Sequence, residues 1–116
     1  MLKKDFRLRK QKDFDRVFGK KGCFFSQDFL ALKTVPSNLP FSRFGFIVSN
    51  KVSKRAVRRN RIKRLLRECV RLFWKEITPG FDAVMIAKLD ISDRKLEEVN
   101  VTVDKLLKKS GLLVKR

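Results

Sequence analysis

The chain has 116 residues, of which 30 are Lys or Arg and 12 are Asp or Glu, so its formal net charge is +18. Its length fits one domain, and a hydrophobic fraction of 43% with 11 phenylalanines argues against a disordered polycation. Two cysteines and no histidine exclude a disulfide framework, a Cys/His zinc site and imidazole catalysis. A charge this basic indicates a partner rich in phosphate.

The predicted elements follow the order αβββαβα. Apolar residues in steps of three and four predict helices, and short apolar runs bounded by turn residues predict strands. In chain order they are a basic arm over 1–11, a short helix over 12–19, one interrupted strand or two strands over 23–35, a strand over 44–49, a basic helix ending near 77, a strand over 81–87, a helix over 93–109 and a basic tail over 110–116. This order predicts an α+β fold with helices packed on one small sheet, in a single domain over 1–116.

The N-terminal residues and the apolar runs of the chain indicate the cellular compartment in which the protein is expected. Residues 1–11 are charged and contain no apolar h-region, so they predict no secretory signal. The longest unbroken apolar run is 83–87, far too short for a membrane span. We therefore expect a cytoplasmic protein without a membrane partner. The alternative partner for so basic a protein is an anionic membrane surface, but binding to such a surface is more typical of a lone amphipathic helix than of a folded domain.

The stretch 51–75 carries the clearest functional signal. Nine of the 17 residues from Lys51 to Arg67 are Lys or Arg, and Glu68 is the only acid up to Lys75. An apolar stripe predicts one face packed on a core, and we expect Ser53 to cap the helix. The opposite face is predicted to carry Arg61, Arg64, Arg67 and Arg71. This face is either solvated or bound to a polyanion, and the scarcity of local acids favours the polyanion.

The segment 56–68 resembles the signature of the bacterial ribonuclease P protein subunit, whose core here is Arg59-Asn60-Arg61 followed by Arg64 and Arg67. Other features of that family match as well. They are two aromatic residues on the first helix (Phe14 and Phe18), a Ser-x-Lys at 49–51 before the signature and a Pro-Gly-x-Asp at 79–82 after it. The resemblance covers most of residues 5–109. It implies a fold like ribosomal protein S5 domain 2, with a left-handed βαβ crossover between the strands over 44–49 and 81–87.

The resemblance also implies a function. The protein would be the cofactor of ribonuclease P, binding the catalytic RNA and the 5′ leader of precursor tRNA. It would assist Mg²⁺-dependent endonucleolytic removal of the leader, while the RNA binds the Mg²⁺ and carries the chemistry. The protein would then contain no catalytic residue, no metal site and no small-molecule cofactor. The alternatives are a structural RNA-binding protein, ribosomal or involved in assembly, without a substrate role, and a general nucleic-acid compaction protein.

Two binding surfaces are implied by the resemblance. The surface for the catalytic RNA comprises Lys51, Lys54, Arg55, Arg58, Arg59, Asn60, Arg61, Lys63, Arg64 and Arg67. A leader-binding cleft between the first helix and the sheet comprises Phe14, Phe18, Leu32 and Lys33. Some of these residues have a structural alternative. The spacing of Phe14 and Phe18 also fits core packing, and Asn60 also fits a local bond to backbone.

Overall fold

The computed structural model describes residues 2–19 and 21–113, in which four strands form one mixed sheet. The strands are β1 (Cys23–Gln27), β2 (Leu30–Pro36), β3 (Arg43–Ile47) and β4 (Phe81–Ala87). Their order across the sheet is β1-β2-β4-β3, with β3 parallel to β4 and the other pairs antiparallel. The helices are α1 (Gln11–Val17), α2 (Ala56–Phe73) and α3 (Leu96–Lys109). The predicted α+β class and element order are confirmed.

The segment predicted as one or two strands forms the hairpin of β1 and β2. The strands pair from Cys23 with Thr34 to Gln27 with Leu30. Asp28 in the turn has a φ of 50°, a left-handed conformation that Asp tolerates better than most residues. The two-strand alternative is therefore confirmed.

Helix α2 connects two strands that are parallel neighbours, β3 and β4. Such neighbours need a crossover, and an 18-residue helix provides it. The predicted βαβ unit is thus present, while its left-handedness stays a prediction.

The two faces of the sheet are covered unequally. Helices α2 and α3 cover one face over the larger core, in which Leu32, Phe44, Leu66 and Leu107 are fully buried. Each such side chain contributes about 2 kcal/mol by leaving water. Helix α1 covers part of the other face, over a smaller cluster of Leu8, Val17, Val35 and Val84. The rest of this second face stays accessible, which leaves room for a cleft beside α1.

Some predicted boundaries were wrong. The basic helix ends at Phe73 and continues as a 3₁₀ turn over Trp74–Glu76. Ser53 does not cap α2, because its Oγ accepts from the backbone N–H of Arg55, which itself precedes the helix.

Helix α3 starts later than predicted, at Leu96. It then runs unbroken to Lys109 although it contains several β-branched residues. Val99, Thr102 and Val103 are buried, and this packing outweighs their weak helix propensity.

The segment predicted as an N-terminal arm lies against β3. It contains a 3₁₀ turn over Lys4–Phe6, and Leu2 and Leu8 are buried. The backbone N–H of Leu8 donates to the carbonyl of Phe44 at 2.9 Å, and Arg7 forms a parallel β-bridge with Phe44. These contacts place Arg7 beside the edge strand of the sheet.

The segment predicted as a basic tail is packed at its start. Leu112 and Leu113 are buried, and Leu113 forms an antiparallel bridge with Ile77. Residues 114–116 of the predicted tail lie outside the described residues.

Candidate nucleic-acid interface

The exposed cations of α2 and the loop before it form a continuous basic surface. Apolar packing of Ile62, Leu66 and Val70 fixes the rotation of the helix, and this turns Arg61 and Arg64 outward. Among the described residues, neither of these arginines makes an ion pair or a side-chain hydrogen bond. Lys51, Lys54, Arg55 and Asn60 are also exposed, and Lys63 is half-buried. We call Lys51, Lys54, Arg55, Asn60, Arg61, Lys63 and Arg64 the basic face.

Arg58 is directed away from this face by two carboxylates. Its Nε donates to Asp90 at 2.7 Å and its Nη2 donates to Asp93 at 2.8 Å. These bonds raise the pKa of Arg58, and together with bonds from Ser92 they lower the pKa of Asp90 to about 2. The guanidinium of Arg58 thus binds the loop between β4 and α3, and its contact with RNA stays a prediction.

Arg59 and Arg67 are both half-buried, and each has a contact outside α2. Arg59 donates from Nη1 to the carbonyl of Ser53 at 2.9 Å, which fixes the loop before the helix. The guanidinium of Arg67 lies over the ring of Phe46, 6.0 Å from its centroid. Burial, followed by the positive charges of Arg7 and Arg64, lowers the pKa of Arg67.

Glu68 and Arg71 form a local ion pair on α2. The Nε of Arg71 donates to Oε1 of Glu68 at 3.0 Å. This bond lowers the pKa of Glu68 and raises that of Arg71. The single acid of the helix thus forms an ion pair with Arg71, near the C-terminal end of α2.

Three of the four residues predicted for the cleft, Phe14, Phe18 and Lys33, lie on the α1 side of the sheet. Phe18 is 42% exposed, and the Nζ of Lys33 is 5.5 Å from its ring centroid and donates to its carbonyl at 3.3 Å. Phe14 is half-buried and packs on the smaller core. A Cβ at Gly45 would lie 2.5 Å from Cε1 of Phe14, so glycine is required beneath this ring. Phe14 is thus mainly a packing residue, and Phe18 is the open aromatic.

The placement of Leu32 in the cleft was wrong. Side chains alternate between the two faces of a strand, and Lys33 points toward α1. Leu32 therefore points the other way, where it is 0% exposed within the larger core.

Sequence reasoning missed Phe24, which is 61% exposed. Phe24 pairs with Lys33 across β1 and β2, so both side chains lie on the same face of the sheet. Its neighbour Phe25 packs on the larger core. Two consecutive phenylalanines in a strand point to opposite faces, so the sequence could have indicated that one of them lies on the second face. Only the strand register shows that Phe24 lies next to Lys33.

A buried carboxylate attaches α1 beside the cleft. Asp82 on β4 is 0% exposed and accepts from the Nη2 of Arg16, on α1. It also accepts from Arg43 on β3, at 3.0 Å from Nε and 2.7 Å from Nη2. Arg16 additionally donates to the carbonyl of Pro36 at 3.1 Å. The position of α1, and with it the width of the cleft, depends on this carboxylate.

Other kinds of site find no support in the part of the chain that the structure describes. There, no three His, Cys, Asp or Glu side chains lie together in an arrangement suited to a metal ion. Over the same residues, no helix is long and apolar enough to cross a membrane. Cys69 belongs to the larger core, and burial raises the pKa of its thiol to about 12. The basic face and the cleft therefore remain the candidate sites.

The fold and these surfaces define a small basic α+β domain with one cationic helix face and one aromatic cleft. The sequence model of the family described as Ribonuclease P matches residues 2–111. The chain is 36% identical over 114 residues to the ribonuclease P protein component of Geobacillus kaustophilus, covering 98% of this chain and 93% of that protein. It is 39% identical over 105 residues to that of Pelotomaculum thermopropionicum, covering 90% and 92%. The chain therefore belongs to the ribonuclease P protein family and is a protein subunit of that tRNA-processing enzyme.

Solved structures of the family share the fold. The Staphylococcus aureus RNase P protein superposes with a TM-score of 0.83 at 28% identity, over 93% of this chain and 97% of that one. The Thermotoga maritima RNase P protein gives 0.78 at 31% identity, over 89% and 96%. The family resemblance found in the sequence is thus confirmed.

Proposed function

We propose that this protein binds the catalytic RNA of ribonuclease P through the basic face and holds the 5′ leader of precursor tRNA in the cleft beside α1. The observation that carries the first part is the outward, unpaired position of Arg61 and Arg64. Guanidinium groups bind phosphate oxygens through two parallel N–H donors, and an exposed Asn60 reaches a phosphate, a 2′-hydroxyl or a base edge.

The cleft is suited to single-stranded RNA. The exposed ring of Phe18 offers a stacking surface for a base, and Lys33 beside it offers a charge for the adjacent phosphate. Phe24 extends the same surface along β1. Together, the two surfaces reduce the repulsion between the catalytic RNA and the precursor and hold the leader near the RNA's active centre. We place this activity in the cytoplasm.

Mg²⁺ enters this proposal only as an ion of the RNA. The carboxylates near these cations already bind arginines: Asp90 and Asp93 bind Arg58, Glu68 binds Arg71, and Asp82 binds Arg16 and Arg43. These residues do not fit a Mg²⁺ site within the protein. When bound to the RNA, Mg²⁺ supplies the activation of the attacking water and the stabilisation of charge.

Stimulation of cleavage tests the proposal. Adding the protein to ribonuclease P RNA at low Mg²⁺ should raise the rate of leader removal from precursor tRNA. Changing Arg61 and Arg64 together to Gln should weaken this stimulation. The control changes Lys95 and Lys105 to Gln, which removes the same charge from exposed positions near and on α3. Binding without stimulation would instead support a structural RNA-binding protein, and equal losses in both variants would contradict a role for the basic face.

A further inference from the structure

The two edge strands of the sheet differ in whether other residues cover them. The edge of β3 is covered, because Arg7 of the N-terminal segment forms a bridge with Phe44. Within residues 2–19 and 21–113, no strand or bridge pairs with the outer edge of β1. This strand also contains no charged residue and no proline, which are features that commonly protect an exposed edge. The outer edge of β1 is therefore open to a further strand.

The strand register shows which backbone groups of β1 face outward. The hairpin turn comprises two residues, so Gln27 and Leu30 form the closing pair and exchange hydrogen bonds. Such pairs alternate along an antiparallel ladder, so the N–H and C=O groups of Phe24 and Ser26 point away from β2. One contact agrees with this direction, because the Nζ of Lys109 donates to the carbonyl of Ser26 at 2.8 Å. An added strand would thus pair with Phe24 and Ser26.

The chemistry of this edge favours a peptide over a nucleic acid. The edge offers N–H donors next to carbonyl acceptors, and the backbone of another peptide satisfies both in alternation. A phosphate group only accepts hydrogen bonds and would leave the outward carbonyls without a donor. The ring of Phe24, which is 61% exposed, would be covered by an apolar side chain of the added strand.

Lysines beside the edge favour a negatively charged peptide. The exposed Lys21 precedes β1, and the Nζ of Lys88 donates to the Oγ of Ser26 at 2.6 Å. An incoming N–H would take the carbonyl of Ser26 from Lys109 and leave this ammonium group facing the added strand. Carboxylates of that strand would then pair with the lysines. A second copy of this chain, with a net charge of +18, would be repelled.

We propose that the outer edge of β1 binds an acidic, extended segment of a protein partner as an additional strand of the sheet. This inference goes beyond the proposed function and does not depend on it, since it uses backbone groups outside the basic face. Successive side chains of a strand point to opposite faces. The segment therefore alternates between apolar residues, which cover Phe24, and acidic residues on the opposite face, where α3 carries Lys109.

The first experiment titrates the wild-type protein with a synthetic peptide of alternating glutamate and valine. We expect the backbone amide signals of Phe24 and Ser26 to shift in NMR spectra with one dissociation constant and to become protected from hydrogen exchange. Two control peptides keep the charge but are N-methylated, one at its valines and the other at its glutamates. Only one of these sets of N–H groups faces β1, so one control should bind at least about tenfold more weakly. Equal binding of all three peptides would overturn the proposal.

The charge and the class of the partner are tested in the same titration. A peptide of alternating lysine and valine should leave the amide signals of Phe24 and Ser26 unchanged, and its binding there would contradict the preference for acids. A single-stranded oligonucleotide represents the other class of partner. If it protected these two amides while the acidic peptide did not, the edge would be assigned to nucleic acid and the proposal would be wrong.

A matched pair of variants tests the edge from the side of the protein. Ser26→Pro removes one outward N–H and should weaken binding of the acidic peptide at least about tenfold. The pairing with β2 uses Cys23, Phe25 and Gln27, so the hairpin should be retained. Ser26→Ala removes only the Oγ that Lys88 contacts and should bind like the wild type. Equal losses in the two variants would contradict strand pairing.

The outcome does not depend on the folding of a variant or on the proposed function. If Ser26→Pro fails to fold, the N-methylated peptides decide the question on the unchanged protein. Stimulation of cleavage by ribonuclease P RNA is measured on the same wild-type protein. Its absence would contradict the cofactor role and leave peptide binding at β1 intact, whereas stimulation without peptide binding would contradict this inference alone.

Discussion

Phe14 and Phe18 lie one turn apart around α1 but meet different surroundings. Phe14 sits directly over Gly45 and joins the smaller core, whereas Phe18 is 42% exposed beside Lys33. The same helical spacing therefore serves packing at one position and leaves an open ring at the other. A leader base is expected to stack on Phe18 and not on Phe14.

We predict that Phe18→Ala weakens binding of leader-bearing precursor tRNA by about 1–3 kcal/mol, the usual value of one base–aromatic stack. Binding of mature tRNA, which has no leader, should not change. Both affinities are measured on the reconstituted enzyme. Leu72→Ala is the control, since Leu72 is similarly exposed but lies on α2. Equal losses on precursor and mature tRNA would assign Phe18 to folding.

Arg58 and Arg61 are three residues apart on α2 and differ in what they bind. Arg58 is occupied by Asp90 and Asp93, while Arg61 projects outward without an ion pair among the described residues. Charge alone does not separate them. Replacing Arg58 is therefore expected to change mainly the stability, and replacing Arg61 is expected to change mainly RNA binding.

We predict that Arg58→Gln lowers the melting temperature and leaves the salt dependence of RNA binding nearly unchanged. Arg61→Gln should leave the melting temperature unchanged and flatten the slope of log K against log salt by about 0.7–0.9. Thermal unfolding and binding at several salt concentrations measure the two effects. A flattened slope for Arg58→Gln would show that RNA displaces the carboxylates.

At the scale of elements, helix α1 is attached to the sheet by one buried carboxylate. Asp82 forms ion pairs with Arg16 from α1 and with Arg43 from β3. The Oδ1 atom of Asp13, on α1, lies 3.5 Å from the Nη2 atom of Arg43. The helix has only seven residues, too few to be stable by itself, so these contacts and the small core hold it.

We predict that Asp82→Asn destabilises the protein by about 3 kcal/mol, because it leaves two cations facing a neutral buried group. The leader-binding cleft should be affected more than the basic face, since α1 forms one wall of the cleft. Urea unfolding and separate affinities for leader and for catalytic RNA measure these effects. Asp13→Asn, which weakens only one longer contact, should have a much smaller effect. Similar losses in the two variants would contradict the central role of Asp82.

The loop between β4 and α3 is attached to α2 in a pH-dependent way. Bonds from Arg58 and Ser92 lower the pKa of Asp90 from its ordinary 3.8 to about 2. A depressed folded-state pKa stabilises the fold fully above the unfolded value and loses this contribution as the pH falls through the folded value. We predict that the stability difference between wild type and Asp90→Asn is constant above about pH 5 and closes towards pH 2. Thermal unfolding across this range measures it, and a constant difference would contradict the ion pair.

At the scale of the whole molecule, 30 cations face 12 acids, so self-repulsion opposes folding. Salt weakens this repulsion and also weakens the internal ion pairs, and the excess of cations decides which effect is larger. Raising the ionic strength from about 0.01 M to 0.15 M shortens the Debye length from about 30 Å to 8 Å.

We predict that this change raises the melting temperature of the free protein. Thermal unfolding in sodium chloride measures the effect, with a neutral osmolyte as the reference for changes unrelated to screening. A falling melting temperature would mean that attraction within the ion pairs exceeds the repulsion among the remaining cations.

Much of this protein was determined by its sequence alone. Composition indicated a folded domain for a polyanionic partner, and periodicity gave the element order, because both depend on neighbouring residues. The spaced arginines of α2 and the residues around them carried the family resemblance. Phe14, Phe18 and Lys33 lie on the same side of the sheet, while their role in binding the leader stays a prediction.

Only the tertiary structure decided which of the predicted side chains are exposed and free of internal contacts, and so can bind RNA. Leu32 was assigned to the wrong face because a shift of one residue reverses the direction of a strand side chain. Arg58 binds Asp90 although the two are 32 residues apart, and Arg7 forms a bridge with Phe44 because the N-terminal segment lies along β3. Such contacts join residues that are far apart in the sequence, so the spacing of neighbouring residues does not reveal them. Helix and strand periods, in contrast, repeat within a few residues and can be recognised from the sequence.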